Sequence, residues 1–106
     1  MRSKYGVAPK DERTYNNIVF DSKREMNRYC ELVLLQRAGE ICDLVHHPKP
    51  LLLEVNGQKI GAWEPDFTYT ENGQLLYEDS KGFRTPEYKI KKKLVKACLG
   101  IEIKET

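Results

Sequence analysis

Apolar and polar positions along this chain follow two different periods. Residues 22–38 carry apolar residues at helical spacing, which predicts a helix. The apolar stripe of this helix consists of Met26, Tyr29, Cys30 and Val33. Ser22 and Glu25 form a capping-box pattern at its start, and Gly39 is typical of the position just after a helix. The first regular element is therefore an amphipathic helix.

Residues 41–81 are predicted to form three strands. Asn56-Gly57 and Asn72-Gly73 divide this segment, and both pairs are typical of two-residue hairpin turns. Two prolines interrupt the first strand, which we expect to bend or to lie at a sheet edge. Strands joined by such short turns form an antiparallel meander.

A second helix is predicted after the meander. Thr85 is a typical N-cap, Pro86 suits the first helical position, and Gly100 ends the helix. Residues 101–103 alternate as a short strand. The order α-β-β-β-α-β indicates an α/β (α+β) domain whose mixed sheet, with a three-strand antiparallel meander, is flanked by two helices.

Length and composition indicate one domain without a membrane segment. The chain has 106 residues, of which 40% are hydrophobic and 32% charged. Residues 1–17 are polar and are interpreted as a basic, partly flexible arm, and residues 18–106 as a single domain. No apolar stretch approaches about 18 residues and no secretion signal is present, so we expect neither a membrane nor a secreted location. Three cysteines without Cys-x-x-Cys spacing fit a reduced cytoplasmic compartment.

The charges are segregated along the chain. Residues 40–79 contain eight acids and two lysines, whereas residues 81–96 contain seven bases and one acid. The first 24 residues contain six bases and three acids. Basic ends around an acidic middle are typical of a protein that holds a polyanion near a carboxylate cluster, although scattered solvated charge gives the same composition.

The second hairpin turn predicts which residues face each other. If Asn72-Gly73 forms the loop, the residue numbers of any two facing positions add up to 145. Asp66 therefore lies opposite Asp79 on one face of the sheet. Like charges at this position repel each other, and a divalent cation between them would turn repulsion into binding. Strand alternation adds Lys81 to the same face and turns Glu78 and Ser80 away.

These residues resemble a known nuclease signature. Pro65-Asp66 followed by Asp79-Ser80-Lys81 matches the PD-(D/E)XK motif of a nuclease superfamily. More closely, the chain resembles small phage-encoded endonucleases, related in architecture to Holliday-junction resolvases. The segments that carry this resemblance are Phe20-Asp21-Ser22-Lys23-x-Glu25, Asp66-Phe67-x-Tyr69 and Glu78-Asp79-x-Lys81-Gly82. The resemblance implies a restriction-endonuclease-like core over nearly the whole chain.

The resemblance also implies roles for individual residues. Glu25, Asp66, Asp79 and Lys81 would be catalytic. The metal would be Mg²⁺, with Mn²⁺ as an alternative, held by Asp66, Asp79, Glu25 and the backbone carbonyl of Ser80. Glu25 has a second interpretation as the capping-box acid that bonds back to Ser22.

Two histidines and three aromatic residues are assigned to packing. Consecutive strand residues face opposite sides, so at most one of His46 and His47 could join a metal site, and packing or surface roles are expected for them. Trp63, Phe67 and Tyr69 are expected on the core face of the hairpin, with base stacking as the alternative.

The second helix carries the predicted DNA contacts. Lys89, Lys92, Lys93 and Lys96 form one cationic stripe at helical spacing, and Arg84 precedes it. Lys91 falls within the opposite apolar stripe. It either extends past the packing surface to solvent or reaches the carboxylate site or a phosphate.

The sequence thus predicts a metal-dependent endodeoxyribonuclease acting on duplex, nicked or branched DNA. A chain this small offers little surface for a duplex, and a homodimer would enlarge it. The alternative is a non-catalytic nucleic-acid-binding module that retains the fold. The facing carboxylates argue against that alternative, because they repel DNA.

Overall fold

The computed structural model describes residues 8–81 and 84–106, which form an α+β protein. Its helices are α1 (Lys23–Arg37) and α2 (Pro86–Leu99). Its strands are β1 (Thr14–Tyr15), β2 (Ile18–Val19), β3 (Cys42–His46), β4 (Leu51–Val55), β5 (Gln58–Trp63), β6 (Phe67–Glu71), β7 (Gln74–Asp79) and β8 (Ile103–Glu105). A short 3-10 helix spans Lys10–Arg13. Neither α1 nor α2 is long and apolar enough to cross a membrane.

The second half of the predicted N-terminal arm is part of the fold. Residues 1–7 lie outside the described residues. After the 3-10 helix, β1 and β2 form an antiparallel hairpin, and the boundary predicted after residue 17 falls inside it. Asn16 and Asn17 form its turn with φ values of 51° and 64°. The Arg13 guanidinium donates to the carbonyls of Ala8 and Phe20 and holds the hairpin against the chain that follows.

The main sheet has four strands in the order β3-β6-β7-β8. Strand β6 is antiparallel to both of its neighbours, β3 and β7, and β8 is parallel to β7. The predicted three-strand meander is wrong, because residues 41–55 form β3 and β4 and residues 58–71 form β5 and β6. The chain leaves the sheet near Pro48 and Pro50, which have no amide hydrogen for a ladder. Strands β4 and β5 then pair with each other as a separate hairpin.

Both Asn-Gly turns form as predicted. Asn56 and Gly57 have φ values of 51° and 77°, and the Asn72-Gly73 pair has nearly the same values. These positive φ values match the right-handed twist of two-residue hairpins. The β6–β7 ladder runs from Glu71↔Gln74 to Phe67↔Glu78, which is the predicted register.

Helix α1 has the predicted ends but a different buried face. The Ser22 hydroxyl accepts a hydrogen bond from the Glu25 amide, and Gly39 follows the helix with φ of 82°. The buried residues are Glu25 and Leu32, with Tyr29 between them partly buried. This face is displaced from the predicted apolar stripe. It therefore directs a carboxylate at the sheet.

Helix α2 begins and ends as predicted. Thr85 caps its first turn and Gly100 ends it in the left-handed conformation. The following strand is displaced by two residues, to 103–105, because its position depends on pairing with β7 rather than on local alternation.

Two apolar clusters hold the helices to the sheet. The cluster under α1 contains Leu32, Ile41, Phe67 and Tyr69. The cluster under α2 contains Leu53, Trp63, Val95 and Ile103, and so joins the β4–β5 hairpin to the main sheet. The predicted burial of Trp63, Phe67 and Tyr69 is confirmed, although they belong to two clusters.

A buried ion pair links α1 to β7. Glu78 has no exposed surface, and its carboxylate accepts hydrogen bonds from Arg28 Nε (2.7 Å) and Nη2 (2.9 Å). Tyr69 and Thr106 donate to the same carboxylate. Burial alone would raise the pKa of Glu78, but the hydrogen bonds from Arg28 and Tyr69 outweigh it and hold the pKa below its usual value. Glu78 is a structural acid.

Replacing Arg28 with methionine is expected to lower the free energy of unfolding by about 3–5 kcal/mol at pH 7. The loss follows because the Glu78 charge stays buried without its main partner. Urea denaturation measures the change, and Glu31→Gln is the matched control. Glu31 pairs with the same guanidinium at 3.1 Å but is exposed, so its loss should cost less than about 1 kcal/mol. Equal effects of the two substitutions would contradict the assignment.

Candidate active site

The end of the β6–β7 hairpin brings two aspartates into contact. Asp66 directly precedes β6 and Asp79 is the last residue of β7. The Asp66 amide donates to Asp79 Oδ1 at 3.1 Å, and the Ser80 amide donates to Asp66 Oδ2 at 2.7 Å. Both side chains are buried, with 8% and 1% of Asp66 and Asp79 exposed. The hairpin register therefore places two carboxylates side by side, as the sequence predicts.

Glu25 joins this pair from helix α1. Only its backbone amide takes part in the cap at Ser22, and its side chain turns inward and is 3% exposed. Glu25 and Asp66 each affect the pKa of the other's carboxyl group, so the two groups lie close together. The capping-box interpretation of the Glu25 side chain is thus wrong, because the helix face that holds it packs on the sheet.

Burial disfavours ionisation of all three carboxyl groups. Burial raises the pKa of Glu25, against the favourable effect of His47. Burial and the charge of Glu25 raise the pKa of Asp66 to about 6, although the Ser80 amide and Lys81 oppose this. The pKa of Asp79 is raised by burial and by the charge of Asp66. Removal from solvent is thus the main reason why the charged forms of these groups are disfavoured.

Lys81 provides the nearby positive charge. Its side chain is half-buried, and its ammonium lies 5.5 Å from the centre of the Tyr88 ring. It borders two clefts, one lined also by Asp66 and His47 and the other by Asp79 and Lys91. The charge of Lys81 favours ionisation of both aspartates. Ser80, which stands between Asp79 and Lys81 in the sequence, is buried beside the cluster.

Both histidines contact Glu25, which contradicts the prediction that at most one could reach a site. His46 Nε2 lies 2.8 Å and His47 Nε2 lies 3.3 Å from Glu25 Oε2. Strand alternation ends at His46, the last residue of β3, and His47 takes a φ of 53°. The reversal turns both rings to the same side, where they stack with centroids 3.9 Å apart.

Trp63 holds Asp79 from the other side. Its indole nitrogen donates to Asp79 Oδ2 at 3.1 Å, and its ring packs in the cluster under α2. The contact of Trp63 with a carboxylate was not predicted from the sequence. It depends on the separation of the β4–β5 hairpin from the main sheet, which local patterns did not indicate.

The basic residues of α2 are partly neutralised by the C-terminal segment. Glu105 pairs with both Arg84 and Lys92 at 2.8 Å, and Glu102 pairs with Lys96 at the same distance. Lys89 and Lys93 are exposed. The Lys91 ammonium donates to the Ala62 carbonyl at 3.1 Å, beside the cleft that contains Asp79 and Lys81. The four lysines of the predicted stripe line one groove, and two of them, Lys92 and Lys96, have carboxylate partners.

The carboxylate cluster suits a hard divalent cation. Asp66 Oδ1 and Glu25 Oε1 accept no hydrogen bond from an amide, hydroxyl, imidazole or cationic group of residues 8–81 or 84–106. Mg²⁺ and Mn²⁺ prefer such oxygen ligands. A cation bound by Asp66, Asp79 and Glu25 would favour their ionised forms, which burial disfavours.

Fold and site together define an α+β protein with a buried carboxylate cluster beside a lysine. The chain belongs to the family described as "Protein of unknown function (DUF1064)", which matches residues 2–104. No curated protein matches the chain.

Replacing Asp66 with asparagine is expected to stabilise the metal-free protein at neutral pH. The folded pKa of Asp66, about 6, exceeds its unfolded value, so wild type loses stability as the pH rises from about 4 through 6. The asparagine side chain keeps an acceptor for the Ser80 amide and carries no charge. The variant should gain on the order of 2 kcal/mol at pH 7.5 and little at pH 4.

Thermal unfolding in EDTA across this pH range measures the difference between the two proteins. Glu64→Gln removes an exposed acid close by and should show no such pH-dependent gain. A variant that is no more stable than wild type at pH 7.5 would contradict the raised pKa of Asp66.

Proposed function

We propose that this protein is a metal-dependent endodeoxyribonuclease of the PD-(D/E)XK type that hydrolyses phosphodiester bonds in duplex or branched DNA. The observation that carries the proposal is the convergence of three buried carboxylates, Glu25, Asp66 and Asp79, beside Lys81. A protein that only bound DNA would lose affinity through this negative cluster and gain nothing from its burial.

The arrangement of the main sheet supports a restriction-endonuclease-like core. Helix α1 precedes an antiparallel hairpin that bears Asp66 and Asp79, and α2 leads into the parallel strand β8. The β4–β5 hairpin is an addition to the expected α-β-β-β-α-β order. It contributes Trp63 to the site, so it belongs to the functional unit.

The proposed metal is Mg²⁺, with Mn²⁺ as an alternative, held by Asp66, Asp79, Glu25 and the backbone carbonyl of Ser80. When bound, such an ion supplies a Lewis acid and lowers the pKa of its water. The protein orients the ligands: the Ser80 amide holds Asp66 and the Trp63 indole holds Asp79. Hydrogen bonds of this kind maintain ligand geometry in metal sites.

Lys81 is proposed to stabilise the negative charge that develops on the phosphate. Its ammonium borders both clefts around the aspartates, and the Tyr88 ring lies close to it. In a partly buried cleft a positive charge acts more strongly than in water. Lys49 lines the same cleft as Lys81 and adds a second cation near the entering phosphate.

DNA binding is assigned to the lysines of α2, with unequal contributions. Lys89 and Lys93 are exposed, whereas Lys92 and Lys96 have carboxylate partners. A paired lysine must exchange its carboxylate for a phosphate, so its net contribution is smaller. A homodimer would enlarge this surface, and the cytoplasm, where cysteines stay reduced, is the proposed compartment.

Incubation with supercoiled plasmid and four-way junctions tests the activity. Cleavage is expected with Mg²⁺ or Mn²⁺ and absent in EDTA. Asp66→Asn and Asp79→Asn should abolish cleavage and leave DNA binding intact. Lys81→Met should reduce the rate by about 10²–10³-fold, because one stabilising charge is lost.

Glu71→Gln is the matched control, since Glu71 lies on β6 at the opposite end from the site. It should cleave at the wild-type rate. Full activity in EDTA, or in either aspartate variant, would refute the proposal. DNA binding without cleavage in any divalent ion would favour the non-catalytic binding module.

The lysines of α2 should separate by salt dependence. Lys93→Gln and Lys89→Gln should each lower the slope of log K against log salt concentration by about 0.9. Lys92→Gln and Lys96→Gln should lower it less. Lys91→Met should reduce cleavage more than affinity, because its ammonium lies beside the Asp79 cleft. Equal slopes for all five variants would contradict this division.

A further inference from the structure

We infer that Glu25, His46 and His47 form a binding site for a divalent transition-metal ion of the kind that prefers imidazole ligands. This site goes beyond the proposed nuclease activity and would bind its ion whether or not the protein cleaves DNA. It shares Glu25 with the carboxylate cluster but differs from it in chemistry, because two of its three donors are nitrogen atoms.

The donor atoms have the spacing that one ion requires. Glu25 Oε2 lies 2.8 Å from His46 Nε2 and 3.3 Å from His47 Nε2, and all three donor atoms lie within 4.8 Å of one another. Zinc and similar ions hold nitrogen and oxygen ligands at about 2.0–2.2 Å, so neighbouring donors around one ion are about 3–3.5 Å apart. Only small side-chain movements would bring these three atoms onto one ion.

The two imidazoles are held in place before any ion binds. The His46 ring lies among Phe20, Tyr29 and Phe67, with ring centroids 4.7, 5.7 and 5.4 Å away. The His47 ring stacks on His46, and its amide donates to the Asp66 carbonyl at 3.0 Å. A preorganised set of ligands loses little conformational entropy on binding.

The site is closed on one side and open on the other. The carboxylate of Glu25 and the His46 ring are largely buried, whereas half of the His47 side chain is exposed. His47 lines a cleft together with Asp21, Lys49 and Asp66. Three protein ligands with an open side leave room for water or a substrate group as a further ligand.

The nitrogen donors decide the class of ion. Mg²⁺ takes oxygen ligands and keeps several waters, whereas imidazole favours ions such as Co²⁺, Ni²⁺ and Zn²⁺. The same contacts would also exist in a purely hydrogen-bonded cluster, in which both imidazoles donate to Glu25. That cluster gives no selectivity for transition metals, so metal affinity distinguishes the two.

Titration of the full-length, untagged protein with Co²⁺, and separately with Mg²⁺, tests the inference without DNA. His46 and His47 are the only histidines in the chain, so imidazole NMR signals report on this site alone. We expect one equivalent of Co²⁺ to shift or broaden both histidine signals and to bind at least 100-fold more tightly than Mg²⁺. His46→Gln and His47→Gln should each weaken Co²⁺ binding at least tenfold.

Cys42→Ser is the control, because Cys42 is the exposed cysteine and its thiol lies beside Asp43. It should bind Co²⁺ like wild type. His47 is half-exposed, so His47→Gln remains decisive if His46→Gln fails to fold. Unchanged Co²⁺ affinity in His47→Gln, or equal affinity for Co²⁺ and Mg²⁺, would overturn the inference.

The outcome is separable from that of the nuclease proposal. Co²⁺ binding that depends on His47 in a protein that cleaves no DNA supports this site and refutes only the nuclease. Cleavage with Mg²⁺ in a protein whose Co²⁺ affinity ignores both histidines refutes this site alone.

Discussion

Burial of several like charges at one end of the sheet is the constraint on which the rest of this structure depends. Glu25 lies on α1, Asp66 directly before β6 and Asp79 at the end of β7, and each is almost fully removed from solvent. Such a cluster costs folding free energy unless hydrogen bonds, a cation or protons offset its charge. The surrounding polar contacts, from the Ser80 amide to the Trp63 indole, orient the carboxylates but do not neutralise them.

Two neighbouring acids on β7 show how differently the fold treats the same chemical group. Glu78 faces α1 and receives a guanidinium and two hydroxyl groups, which hold its pKa low. Asp79 faces the opposite side, where burial and Asp66 raise its pKa. The two acids are adjacent in the sequence, but consecutive strand residues point to opposite faces, so their side chains lie on opposite sides of the sheet. One acid stabilises the fold, and the other is left available for a ligand.

The C-terminal segment has a similar divided role. Strand β8 extends the sheet beside β7, and Thr106 reaches the buried Glu78. The same segment presents Glu102 and Glu105 to the basic residues of α2. The positive charge of the surface that was predicted to bind DNA is thus reduced by acids that lie close to it in space. A polyanion approaching α2 would compete with these carboxylates.

The sequence by itself determined the features that depend on local backbone geometry. Caps at Ser22 and Thr85, the Asn-Gly turns and the β6–β7 register need only the conformations of a few adjacent residues, and they were predicted correctly. The tertiary structure decided whatever depends on partners distant in the chain. It separated β4 and β5 from the sheet, turned Glu25 inward and set both histidines on one carboxylate. Such contacts join residues far apart in the chain, as in the pair of Arg28 and Glu78, which are 50 positions apart. No local sequence pattern predicts these contacts, because they are selected by the free energy of tertiary packing and not by backbone preference.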